Sequence, residues 1–441
     1  ILDTVRAASL SLYGYAQPTT PKLARWAARG VVFEQAMAPA PWTLPSHGTL
    51  FTGRWPHELS AGWLTPLDGR WPTLAERFAA RGYRTAGFVA NLQYATYEHG
   101  LARGFQRYED YPLSLSQVLL SSALGRTLIN AKTPRRLIGT DEHLNRKSAA
   151  ELRGDFLHWM GDGAEGRPYF AFLNFYDAHE PYLPPDEYFR RFAGHDRANH
   201  LSPLRRYALG QRRAKATAAD IALERAAYDG SIAYLDDQLD ALFSELERRG
   251  VMANTLVVIT SDHGEEFAEH GVFYHGHTLY MPALHVPLIM WMKGRVPAGE
   301  RIARPVSLRD VAATVLDLAG RRGEAGAAGT SLAVLWGAHG DSAGAPVSPV
   351  VSEVQRGIRL PDWYPAAHDD LRSIVADDRH FIDGPKGKGA LYDFRADPWE
   401  QRDLSTTPAG RAEVARLRER LAPFVRAPGT APAGVPMAGP E

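Results

Sequence analysis

A threonine hydroxyl at the mouth of a short helix is the first group in this 441-residue chain whose setting could support chemistry. Thr43 lies in PAPWTLPSHGTLFTGR, from Pro39 to Arg54. Pro45 suits a first helical position, where a missing N–H costs nothing, and Gly53 is a natural stop, so Pro45 to Thr52 is predicted as one or two helical turns beginning just after Thr43. The free N–H groups and positive end of that helix would face an anion attacked by Thr43, an arrangement suited to a phosphate or sulfate ester. Taken alone, the stretch reads equally as a buried loop-to-helix turn. A second group comes from TLVVITSDHG, an apolar β-rich run from Leu256 to Thr260 that delivers Asp262 and His263 at its carboxyl end. Ile1, Leu2 and Asp3 read as the end of another buried parallel strand. Ligands of α/β sheets collect at the carboxyl ends of strands, so Asp3, Thr43, Asp262 and His263 could converge as a divalent-metal site, although SDHG after a strand reads in isolation as turn chemistry before it reads as a ligand pair. Oxygen donors with one imidazole suit Zn²⁺ or Mn²⁺, whereas Ca²⁺ and Mg²⁺ prefer oxygen-only shells and stay possible. Coordination would lower the pKa of the Thr43 hydroxyl and neutralise charge on the transferring group.

The elements that must position these groups alternate along the chain. Pro21 to Arg29 has helical spacing and ends at Gly30; Val31 to Phe33 forms a short strand. Thr73 to Ala80 reads as a helix ended at Gly82, and TAGFVAN, Thr85 to Asn91, as a strand. Tyr169 to Phe175 is an apolar strand followed by His179 in a proline-bounded loop. Ile232, Leu235, Leu239, Leu242 and Leu246 make an amphipathic core stripe that stops at Gly250. HVPLIMWM and a helix around Val311 to Leu318 complete a large α/β domain, residues 1–345, of doubly wound type. Two mainly helical insertions, about residues 111–165 and 186–219, carry no motif, and the arginines of the second read as a solvated face. Beyond a Gly/Ala-rich connection, VVSEV, LRSIVA, HFIDG and ALYDF are short strand-like runs, and Arg411 to Val425 a helix, which together predict a small sheet-and-helix subdomain over residues 346–426. Residues 427–441, rich in Pro, Gly and Ala, are expected to be disordered.

Composition narrows the partners. Lysine plus arginine equal aspartate plus glutamate, at 50 each, so no global field points to nucleic acid or an acidic membrane. Cysteine is absent, which removes disulfides, thiolate metal sites and cysteine nucleophiles. No apolar run reaches the roughly 18 residues that span a bilayer. Because the first residue is Ile1, the chain is expected to be a fragment or a processed form, and compartment and oligomeric state are not assigned.

Several of these stretches, in order, resemble the sulfatase family of the alkaline phosphatase superfamily: DTVRAASLSLYGY, TTPKLARWAARGVVFEQAMAPAPWT, TLPSH followed by TGRWPH, then SDHGEE, HVPLIMWMKG and LYDFRADPWEQRDL. The resemblance spans nearly the whole chain. It implies an α/β fold with a large mixed, mostly parallel sheet flanked by helices, plus a C-terminal α+β subdomain with an antiparallel sheet. Thr43 stands where that family has a Cys or Ser that becomes formylglycine; threonine cannot become an aldehyde, so no formylglycine is expected. His47 replaces the family arginine that braces the aldehyde, and the lysine and histidine usual after the GF-type strand are missing near Asn91 to Leu101. His263 in place of Asn, and Thr4 in place of a second Asp, disfavour calcium.

The run SDHGEEFAEHGVFYHG is similar in spacing to phosphoethanolamine transferases, in which the histidines matching His179 and His275 contact the substrate phosphate. The resemblance thus makes His179 and His275 candidates for stabilising the transferred group or protonating the leaving group. His277 and, behind it, His270 are candidates for a second metal or for scaffold; Glu265 and Glu266 would orient ligands. The expected activity is metal-dependent hydrolysis of a small anionic ester through a covalent Thr43 intermediate, with phosphate mono- or diesters favoured over sulfate esters. A phosphoryl-group transferase and an inactive anion-binding member are the alternatives.

Overall fold

The computed structural model describes residues 1–110, 146–161, 166–195, 215–336 and 348–424. In chain order its principal elements begin with α1 (Pro21–Ala27), β1 (Val31–Met37), α2 (Thr43–Thr52), α3 (Leu74–Ala79), β2 (Arg84–Val89) and β3 (Arg107–Glu109). Next come α4 (Ala149–Gly161), β4 (Tyr169–Asn174), α5 (Asp186–Ala193), α6 (Ala218–Arg248), β5 (Val257–Thr260), β6 (Glu266–Phe267) and β7 (Phe273–Tyr274). The chain continues through β8 (His285–Trp291), β9 (Glu300–Ile302), β10 (Val306–Ser307) and α7 (Val311–Leu318). It ends in β11 (Val350–Val354), β12 (Leu371–Ala376), β13 (Arg379–Asp383), β14 (Gly389–Asp393) and α8 (Pro408–Leu421).

Two sheet segments meet at the first residues. One runs β3-β2-β4, all parallel, and the other β10-β1-β8-β5, with β9 also paired to β1. Leu2 bridges in parallel to Phe175 just after β4 and donates its N–H to the Thr260 carbonyl of β5 at 2.8 Å. Asp3 is thereby fixed between the ends of β4 and β5. Strand β8 lies antiparallel between β1 and β5, which makes the sheet mixed. Both of its faces are covered, so its strands read as unbroken apolar runs. Val31, Phe33, Leu288 and Met290 enter one core with α2 and α7, while Val32, Ile289 and Trp291 enter the other with α1 and α6.

Helix boundaries follow local chemistry. Thr73 and Thr217 each cap a helix through a reciprocal box, with Glu76 and Asp220. The second box starts α6 upstream of the apolar stripe, within the residues expected to belong to the 186–219 insertion. Helix α2 starts at Thr43 itself, with Trp42 as cap, so Pro45 is its third residue and not its first. Proline is accommodated there because the first four N–H groups of a helix lack an intrahelical acceptor. Gly53 ends α2 at φ 70°, and a Cβ on it would lie 2.3 Å from the Ala328 carbonyl oxygen.

The C-terminal strands form one antiparallel sheet in the order β11-β12-β13-β14. Leu417 and Leu421 of α8 pack on Ile374, Phe381 and Leu391, together with Trp55 from the large sheet's side of the molecule. Expectations for most of the 111–165 insertion, for part of 186–219 and for the tail 427–441 fall on residues outside those described; within the insertions, α4 and α5 are helical as read from the sequence.

The loop after β5 is held by backbone on both sides. Gly264 N–H donates to Ala283 and Glu265 N–H to Pro282. A Cβ on Gly264 would come within 2.1 Å of the Pro282 oxygen and 3.1 Å of Arg6 Cβ. Gly264→Ala is therefore expected to displace Asp262 and His263 and cost at least the ~1–3 kcal/mol typical of overpacking. A urea midpoint equal to that of the parent protein would contradict this.

Candidate active site

Asp3, Thr43, Asp262 and His263 are all essentially inaccessible to solvent. Asp3 arrives from the bridge between β4 and β5, Thr43 from the start of α2, and the other two from the loop after β5. Ligating atoms of Asp3, Asp262 and His263 lie within 4.8 Å of one another. Asp3 Oδ1, Asp262 Oδ2 and His263 Nε2 are buried without a hydrogen-bond partner among the described residues. Each side chain spends its other polar atom on fixing its orientation. Asp3 Oδ2 accepts from Asn91 and Asn174 amides at 2.9 and 3.1 Å. Asp262 Oδ1 accepts from the Thr4 and His263 N–H groups at 3.3 and 3.1 Å. His263 Nδ1 lies 3.0 Å from the Gly264 carbonyl, which can only accept, so Nδ1 carries the proton and Nε2 keeps its lone pair. Burial pushes the His263 pKa down to about 4, against the pull of Asp262. Two carboxylates and a neutral imidazole with inward-facing free atoms fit a divalent cation.

Thr43 joins this group through a shared donor. Asn91 Nδ2 lies 2.9 Å from Asp3 Oδ2 and 3.3 Å from Thr43 Oγ1. His47, one turn along α2, places Nδ1 2.9 Å from the Thr43 carbonyl and 3.5 Å from Asp262 Oδ2, with its ring between Phe51 and Phe172. Ser46 Oγ donates to the Asp262 carbonyl at 2.6 Å. Thr4, where the resemblance implies a second aspartate, has φ 62° and turns its hydroxyl to the Ala178 carbonyl.

A second cluster, His179, Glu180 and His275, adjoins the first. The His263 and His275 rings lie 4.4 Å apart between centroids, and His179 and His275 4.8 Å apart. His179 Nδ1 is 3.0 Å from a Glu180 carboxylate oxygen; burial would lower its pKa, but that charge raises it to about 9. Burial lowers His275 instead. Glu265 links His275 Nδ1, at 3.0 Å, to the Tyr182 hydroxyl, at 2.8 Å.

The remaining histidines stand apart. His277 packs between Trp63 and Tyr364, beside the Trp42–Trp63 stack, and belongs to neither ligand cluster. His270 stacks on Tyr280 and pairs with Glu266, which also accepts from Thr278, so Glu266 orients His270 and not the Asp262–His263 pair. Asn91, Asn174, Glu180 and Tyr182 were not among the sequence candidates. Asn174 had a readable signal, a polar residue at the carboxyl end of an apolar strand.

The sulfatase profile matches residues 1–321. The chain belongs to the sulfatase family. That family lies within the alkaline phosphatase superfamily of sulfuric and phosphoric ester hydrolases. Arylsulfatase K of Canis lupus familiaris is 27% identical over 315 residues, 66% of this chain and 57% of its own length. The chain thus spans little more than half of that relative. The Δ4,5-hexuronate-2-O-sulfatase of Bacteroides thetaiotaomicron is 25% identical over 447 residues, covering 94% of this chain and 85% of the relative. Among solved structures, the phosphonate monoester hydrolase of Agrobacterium radiobacter superimposes with a TM-score of 0.72 at 23% identity, covering 96% and 94% of the two chains.

Since His263 holds no proton until about pH 4, a bound cation displaces none from it at milder pH. Calorimetric titration of the protein with Mn²⁺ is expected to give an affinity that stays flat from about pH 7 to about 5, whereas an ordinary histidine ligand would lose affinity below its unperturbed pKa of about 6.5.

Proposed function

We propose that this sulfatase-family chain is a metal-dependent ester hydrolase that works through a covalent Thr43 intermediate, with phosphate mono- or diesters favoured over sulfate esters. The observation that carries the reading is Thr43 Oγ1 at the first residue of a wholly buried helix, sharing the Asn91 amide with Asp3 beside three unpartnered ligating atoms. Asp3, Asp262, His263 and Thr43 would hold the cation, with Zn²⁺ or Mn²⁺ favoured. When bound it would lower the pKa of the hydroxyl and offset charge on the transferred group.

The chain's own groups account for the rest. Thr43 Oγ attacks phosphorus and loses its proton to water. The bond to the leaving oxygen breaks, and that oxygen departs with the electron pair and takes the proton of His179. Free N–H groups at the start of α2 face the transferred oxygens. Water then attacks the adduct, the bond to Oγ breaks, and a proton from that water restores the hydroxyl. No aldehyde is involved, because oxidation of a threonine side chain gives a ketone. The displacement route is indifferent to whether phosphorus or sulfur is attacked. Relatives named as sulfatases keep sulfate esters as the second reading.

A paired assay separates the two, using an aryl sulfate and aryl phosphate mono- and diesters with Zn²⁺ or Mn²⁺ supplied. Phosphoester turnover abolished in Thr43→Ala, with little sulfate cleavage, is the expected result; dominant sulfate turnover would reverse the preference, and turnover surviving in Thr43→Ala would remove the covalent route. The acid role of His179 has its own signature. Its proton is held up to about pH 9, so kcat/KM is expected to fall as pH rises through that value, and the fall should vanish in His179→Gln.

A further inference from the structure

Asn91 was left without a role by the sequence, yet its side chain is the most constrained polar group beside the nucleophile. Its Oδ1 accepts the N–H groups of Gln93 and Tyr94 at 3.1 and 3.0 Å. Its own N–H is held by Asn174 Oδ1 at 3.0 Å. These bonds settle the amide orientation. A flipped amide would press NH₂ against two N–H donors and an oxygen against the Asp3 carboxylate. Nδ2 therefore faces inward, with one hydrogen for Asp3 Oδ2 and the other for Thr43 Oγ1. Asn91 is itself fully buried, so its second hydrogen points at Thr43 Oγ1 from within the protein and not from solvent.

We propose that Asn91 is a catalytic residue, the fixed donor that stabilises the Thr43 oxygen when it leaves the covalent adduct. The inference rests on Thr43 being the nucleophile. Charge on Oγ falls as Thr43 attacks and rises again as water displaces it. A donor aimed at Oγ is therefore stronger in the transition state of the second step than in its ground state, and accelerates that step. In the second step water forms the new bond to phosphorus, the bond to Oγ breaks, and the electron pair settles on Oγ against the Asn91 N–H before a proton from the water arrives. An amide does this without titrating.

Asn174 is a positioning residue for this donor: it also donates to Asp3 Oδ2, at 3.1 Å, and its Oδ1 holds the Asn91 N–H, but it has no bond to Thr43. The test uses the whole chain at saturating Mn²⁺ with 2,4-dinitrophenyl phosphate, whose good leaving group makes adduct formation easy. Asn91→Ala is expected to lower kcat by about 10²–10³-fold, the range for loss of one oxyanion donor, and to accumulate the Thr43 phosphoryl adduct by intact mass. Asn174→Ala removes one Asp3 contact and the hold on the Asn91 N–H, so it is expected to need more Mn²⁺ and to show a smaller share of the same adduct. Asn91→Asp keeps the acceptor for Gln93 and Tyr94 and should show the same adduct if Asn91→Ala folds poorly. Saturated turnover in Asn91→Ala matching the parent, or a loss of turnover in Asn91→Ala and Asn91→Asp with no adduct accumulating, would overturn the assignment. Failure of the underlying reading looks different, with no adduct in any variant and turnover retained by Thr43→Ala.

Discussion

Three buried ligating atoms with no hydrogen-bond partner among the described residues, on Asp3, Asp262 and His263, impose the constraint to which the surrounding structure answers. Leaving charged groups unpaired in the interior costs several kcal/mol each unless a counter-charge is supplied. Only imidazole nitrogens approach Asp262 Oδ2, His263 Nε2 at 3.3 Å and His47 Nδ1 at 3.5 Å, while neighbours saturate every other polar atom of the same side chains. Asn91 and Asn174 occupy the far oxygen of Asp3, and two backbone N–H groups that of Asp262. The Gly264 carbonyl sets the tautomer of His263. Such one-sided satisfaction orients three donors toward a common point. The backbone contributes as well: Thr4 sits at φ 62°, costly for a β-branched residue, and is held there by bonds through its N–H, its hydroxyl and its carbonyl, the last to Tyr228.

A sheet buried on both faces is what makes that arrangement rigid. Strands β1, β5 and β8 send alternate side chains into two separate cores, so a slip of one residue would exchange the contents of both. The loop after β5 and the bridge at Leu2 inherit this register. Helix α2 is buried along its whole length, so the position of Thr43 is fixed by packing and not by the weak propensity of a sequence containing proline and glycine.

Much of the fold was legible because the physics that fixes it is local. Apolar runs marked β1, β4, β5 and β8; glycine at positive φ marked the ends of α2 and of the turn after α6; and the four short C-terminal runs became four paired strands. Directions were less legible. An apolar run buried on both faces reads the same in a parallel or an antiparallel strand, so HVPLIMW did not announce that β8 runs against its neighbours. The start of α2 was misplaced by two residues because proline is tolerated throughout the first turn, not at one position alone. In the site, residues with intrinsic reactivity were visible, whereas Asn91 carried no signal and Asn174 only that of its place at the end of an apolar strand. An asparagine acts only through where its amide points, and that depends on a strand pairing between β2 and β4 separated by many residues.

His179 and His275 show how environment, and not residue type, divides the roles. Their rings are neighbours and both are buried, yet one is held protonated to about pH 9 and the other is pushed down. The difference lies in distance to one carboxylate. Glu180 is 3.0 Å from His179 Nδ1 and 3.8 Å from that of His275, whose closer partner Glu265 is itself driven well above the carboxylate range by burial. Two histidines with opposed shifts side by side are the arrangement that acid–base chemistry at neutral pH requires. A site built only to bind an anion would gain from both carrying charge. The separation therefore weighs toward turnover, and it leaves the proton on His179, while His275, whose ring adjoins His263, is driven toward its neutral form.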